Sequence, residues 1–132
     1  MKRFIVLLVA AMLVSSCAYR HQPVYDVNKP LPQAAQSLPL NEIERLIVAG
    51  GTFYQWQFQR AGDGHLVATQ SQPKYSAIVD IYFTNLNYKI TKQSTVGLVD
   101  QGATIHSHYN VWIRNLEKSI DAQLANRPLT QQ

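Results

Sequence analysis

The densest run of chemically capable side chains is His106-Ser107-His108. Two imidazoles at i and i+2 share one side of an extended backbone and can offer two nitrogens to a zinc ion. A zinc site takes three or four ligands, so His65, Asp80 or Asp100 would have to arrive from elsewhere, and no second cluster in the sequence points to one. A serine between histidines also suggests a nucleophile beside its base. Neighbours in sequence do not face each other on a helix, however, and the chain contains no Gly-x-Ser-x-Gly elbow. Ser107 is better placed to cap the helix that follows it. Asp63 sits in the turn Gly62-Asp63-Gly64 and forms no recognisable acid/base pair with Asp80. A phosphate-cradling glycine pattern is missing as well. These residue types therefore predict no catalytic centre, no metal and no cofactor.

The remaining reactive group is Cys17, the one cysteine among 132 residues. A lone cysteine excludes an internal disulfide, and it stands at the end of a distinctive leader. Lys2-Arg3 is followed by an unbroken apolar run from Phe4 to Val14. That run is shorter than the ~20 residues a spanning helix needs, and a basic start with a short apolar stretch is the pattern of a secretory signal peptide. Leu13-Val14-Ser15-Ser16-Cys17 resembles the lipobox of bacterial lipoproteins. The resemblance implies that residues 1–16 are removed, that the Cys17 thiol takes a diacylglycerol, and that the new amino group is acylated. Two or more acyl chains hold a protein stably on a membrane. The next residue is Ala18, not Asp, which by the same resemblance implies the outer membrane, with the domain in the periplasm. Loss of Lys2 and Arg3 with the leader lowers the net charge from +4 to +2. Without clustered Lys/Arg, that balance argues against a nucleic-acid partner.

The elements that must position any site follow from periodicity. Residues 17–39 carry Pro23, Pro30, Pro32 and Pro39 and show no sustained period, so they are expected to form a flexible tether with a reach of roughly 25 Å. Val24 to Val27 is the one part of it with strand character. A domain over residues 40–127 starts with a short helix. Asn41 and Glu44 have the spacing of a capping box, Ile43, Leu46 and Ile47 share a face, and Gly50-Gly51 supplies a stop. Tyr54 to Gln59 alternates aromatic with glutamine, the period of a half-buried strand. Turns at 62–64, 71–74 and 84–87 separate three further strands, and 95–105 reads as loop. From Ser107 the period becomes helical, with Tyr109, Trp112, Ile113, Leu116, Ile120 and Leu124 as the apolar stripe. Asn110 and Asn115 are expected to hydrogen-bond loops. Pro128 ends the helix and leaves a frayed tail, 128–132.

This order predicts an α+β fold with two layers: a four-stranded antiparallel meander, with an N-terminal and a C-terminal helix on its apolar face. The stretch from Trp56 through Gly62-Asp63-Gly64 and Ala77–Phe83, and above all Ile105 to Leu116, resembles a group of small proteobacterial outer-membrane lipoproteins. The resemblance spans residues 41–126 and implies location and fold, but no catalytic or binding residue.

The face left open carries Gln57, His65, Val67, Ile78 and Tyr82 in a polar field. An aromatic and two aliphatics in that setting suggest a patch that binds a protein or a glycan. The leading expectation is thus a non-enzymatic, membrane-anchored lipoprotein that binds a protein partner of the cell envelope. The first alternative is a small ligand or peptidoglycan held by His106, His108 and Tyr109 beside the 95–105 loop. A small metal-dependent hydrolase is the second.

Overall fold

The computed structural model describes residues 21–126, so the leader, Cys17 and the tail 128–132 lie outside the described residues. The alternating segments form strands β3 (Gln57–Gly62), β4 (His65–Ser71), β5 (Ser76–Phe83) and β6 (Asn87–Val96), antiparallel and in meander order. Leu66, Ala68, Ala77, Val79, Ile81, Phe83, Tyr88 and Ile90 are all buried on one face. Helices α1 (Leu40–Phe53) and α2 (Ser107–Leu124) bury Ile43, Ile47, Ile113, Leu116 and Ile120 in the same core. The fold is α+β, and the four-stranded sheet is corrected to five strands.

The fifth strand comes from the segment expected to be a tether. β2 (Val27–Pro30) pairs with β6, Val27 opposite Ile90 and Lys29 opposite Tyr88, which gives the sheet order β2-β6-β5-β4-β3. A short β1 (His21–Pro23) pairs with β7 (Thr104–His106), a strand inside the stretch read as loop. Val27, Leu31 and Ala35 are buried, each in the core cluster. The prolines that suggested a tether suit this path. Pro30 ends an edge strand, where a missing N–H removes no bond from the interior of the sheet. Pro39 holds an extended backbone just ahead of α1, and its carbonyl accepts from the N–H groups of Glu42 and Ile43.

That geometry also replaces the expected capping box. Asn41 lies inside the first turn, the cap position belongs to Pro39, and Glu44 pairs instead with Arg60 at 3.2 Å. Nor does α1 stop at Gly50-Gly51. A methyl group on Gly50 would lie 2.8 Å from the Ile120 Cα, and one on Gly51 would fall on the Phe58 ring. The glycines let α2 and β3 approach the helix. The reversal is made by Gln55, at φ +68°. The Trp56 N–H bonds the Gly51 carbonyl at 3.1 Å and the Gln55 N–H bonds Thr52 at 2.9 Å, the pair of bonds of a Schellman motif, in which glycine is the usual left-handed residue. The expected strand at 54–59 therefore begins only at Gln57, with Trp56 buried just ahead of it.

Gly50 sets two effects against each other. Alanine raises helix propensity by ~1 kcal/mol, whereas overpacking costs ~1–3 kcal/mol, and more against backbone that cannot move aside. Gly50→Ala is expected to lower unfolding stability in urea by about 1–2 kcal/mol. A variant as stable as the parent would contradict the close helix crossing.

Candidate functional site

The register of the sheet brings the expected binding face together. Gln57 stands opposite Thr69, and Thr69 opposite Ile78; Gln59 stands opposite Val67, and Val67 opposite Asp80. In the next row His65 faces Tyr82, and Tyr82 faces Lys89. The His65 and Tyr82 rings stack with centroids 4.2 Å apart and planes 18° from parallel. The His65 Nε2 lies 2.8 Å from the Asp80 Oδ1, and the Lys89 ammonium sits 5.1 Å from the Tyr82 ring centre. Val67 and Ile78 are half-buried beside this row, while Gln57 and Tyr82 are exposed. A bulge at Gln93 turns that residue toward Asp80 and sends Lys92 to Asp100 and the Gly102 carbonyl. Alternation alone does not reveal the bulge, because one extra residue reverses the side of everything after it.

The second expected site does not assemble as a unit. Tyr109 is fully buried, with a hydroxyl that lacks a partner, so it belongs to the core and cannot meet a ligand at the surface. His106, not Ser107, caps α2: its Nδ1 accepts the His108 N–H at 3.2 Å, and Ser107 is the first helical residue. The two imidazoles contact each other edge to face at 4.5 Å, and His108 leans on Tyr75. Among the described residues, no group of three or more His, Cys, Asp or Glu side chains is placed to hold a metal ion.

Sequence reasoning missed the richest polar cluster, at the seam between β2 and α2. Lys29 reaches Asp121 at 2.6 Å and Glu117 at 3.0 Å. The Tyr25 hydroxyl donates to Glu117 at 2.6 Å, and the Tyr88 hydroxyl donates to Asp121 at 2.7 Å. The Arg114 guanidinium lies over the Tyr25 ring, 4.6 Å from its centre. One turn earlier, Asn110 accepts the Tyr25 N–H at 2.9 Å and donates to the Pro23 carbonyl at 2.9 Å and to Gln22 at 3.2 Å. Glu117 and Asp121, four residues apart, fall on one edge of the last helix. Their partners were not visible, because they lie in the supposed tether. Each carboxylate is engaged by a cation and a hydroxyl, which suits a clamp better than an acid/base pair.

The clamp has a pH signature. Burial, and then the Asp121 carboxylate, push the Tyr88 hydroxyl well above the usual tyrosine range; the bond to Glu117, and then burial, push Tyr25 up. Burial pulls the Lys29 ammonium down, but its bonds to Asp121 and Glu117 outweigh this and leave it raised. Burial raises Tyr109 as well. The folded chain therefore keeps protons that the unfolded chain gives up. The stability involved is fully present below the unfolded tyrosine value of ~10 and is lost as pH rises above it toward the folded values. Urea midpoints are expected to fall above pH ~10, with the buried Tyr88 alone contributing up to about 1.4 kcal/mol per pH unit. Tyr88→Phe should flatten that fall, and an unchanged slope would contradict the seam. Compared with known proteins, the chain matches no family model, no curated protein and no solved structure.

Proposed function

We propose that the chain is a non-enzymatic outer-membrane lipoprotein whose periplasmic domain binds a protein of the cell envelope through the open face of the five-stranded sheet. The observation that carries this reading is the His65–Tyr82–Lys89 row. Its stacked rings are braced by Asp80 and flanked by Val67 and Ile78, on the side of the sheet away from both helices. A ring pair already fixed in place loses little freedom on binding, and aromatic anchors with a polar surround are the usual hot spots of protein interfaces. The outer edge of β3, which no strand among the described residues pairs, adds a row of backbone groups for an extended segment of the partner. The buried position of Tyr109 speaks against the ligand site at His106 and His108.

The leader and Cys17 support the anchor. Because the expected tether is built into the sheet, only Ala18, Tyr19 and Arg20 separate Cys17 from β1. Four residue steps reach at most about 14 Å. The domain in this reading rides against the membrane surface, and its partner is an envelope protein within that range.

A photo-crosslinking residue at Gln57 in intact cells, combined with Val67→Asp or Ile78→Asp, tests the interface. Both positions are half-buried and Val67→Asp sets a carboxylate opposite Asp80, so a cost of about 1–2 kcal/mol is expected, and urea denaturation checks that each variant stays folded. Crosslinked partner is expected to drop about tenfold, the equivalent of ~1.4 kcal/mol of binding. Undiminished crosslinks in both variants would remove the sheet face from the proposal. A mature amino terminus at Cys17 with a free thiol would remove the anchor.

A further inference from the structure

On the helix side of the molecule, the C-terminal end of α1, the end of β4 and the middle of α2 enclose a cleft of about 280 Å³. We propose that it binds a neutral, polyhydroxylated ligand: one sugar unit of a glycan. The inference does not rest on the sheet-face reading, since the cleft is formed by other residues.

Four carboxamides line the cleft, those of Gln55, Gln70, Gln72 and Asn115, together with the rings of Tyr54 and Trp112. No charged side chain is among the lining residues. An anionic or cationic ligand would find no counter-charge there. A carboxamide presents both a donor and an acceptor, the pattern that pairs with a hydroxyl group, itself both. Trp112 is half-buried on the core and adds an aromatic surface against which the apolar side of a sugar ring can rest.

Two features of the cleft are unfavourable for the chain by itself. Gln70 is 5% exposed, and its Oε1 has no hydrogen-bond partner. Buried polar atoms are nearly always paired, so an orphan in the wall of a cleft asks for a donor from outside. Gln55 occupies the left-handed position that closes α1, where glycine would sit without strain. The side chain that glycine would lack is a carboxamide in the cleft wall. A residue costly to the backbone and an oxygen costly to the core thus converge on one small volume. A hydroxyl or acetamido N–H seated there supplies the donor that Gln70 lacks.

The test uses the full chain in micelles of a zwitterionic, sugar-free detergent, titrated calorimetrically with maltotriose and, separately, with chitotriose. Saturable binding of at least one is expected, with Kd in the micromolar to millimolar range. Chitotriose alone would identify an acetamido sugar, and maltotriose a plain hexose chain. Gln70→Leu should weaken binding by about tenfold or more and at the same time raise the thermal midpoint, because it removes the orphaned oxygen without emptying the site of carbon. Asn115→Ala should weaken binding without that gain. Absence of binding by either sugar, or binding that both variants leave intact, would overturn the proposal.

Discussion

The Asn110 carboxamide ties the start of the described chain, at Gln22, Pro23 and Tyr25, to its last helix. It accepts the Tyr25 N–H and donates to the Pro23 carbonyl and to Gln22, from a side chain that is 1% exposed. Each buried group left unpaired by its loss would cost ~1–3 kcal/mol. The ion pairs of Lys29 about two and three turns along are worth less. The Lys29 side chain is 37% exposed, and pairs of that kind contribute ~0–1 kcal/mol once water screens them. The seam thus depends on one amide and on the burial of Val27, Leu31 and Ala35 behind it, with the charges fixing register more than adding stability.

What the seam holds in place is the fifth strand. With β2 docked, β6 is an interior strand, Lys89 is flanked by Asn28 and Tyr82, and the His65–Tyr82–Lys89 row lies inside a sheet instead of at its margin. The same docking shortens the path from Cys17 to the domain. The geometry of the surface and the shortness of the path from Cys17 are in this sense two consequences of one packing event.

The alternation of β3 to β6 was legible because period two survives any change of partner: Leu66 and Ala68 on β4, and Ala77, Val79, Ile81 and Phe83 on β5, recur every second residue and are buried. The stripe of α2 was legible for the same reason. The N-terminal strands were not, because prolines at an edge and prolines in a tether look alike until a partner strand is present. Gly50-Gly51 misled in the same way. Glycine ends helices through its freedom at positive φ, but here it serves close approach, and Gln55 takes the left-handed position instead. Of the candidate residues, the sheet face followed from alternation. Tyr109 parted from His106 and His108, whose rings stay in contact, because the helix that starts at Ser107 turns Tyr109 into the core. Asn110 was legible as a residue that bonds neighbouring chain, but not as the one on which the N-terminal segment hangs.

Native-state hydrogen exchange at the amides of Tyr25 and Leu31 tests the central claim most directly, since one donates to Asn110 and the other to the Leu86 carbonyl. Both are expected to exchange at least about a thousandfold slower than in a free peptide, an opening free energy of ~4 kcal/mol, and Asn110→Ala should return Tyr25 most of the way to the free rate. Exchange of both amides at the free-peptide rate in the folded parent would mean that this segment is a tether after all, and the five-stranded sheet would lose its edge.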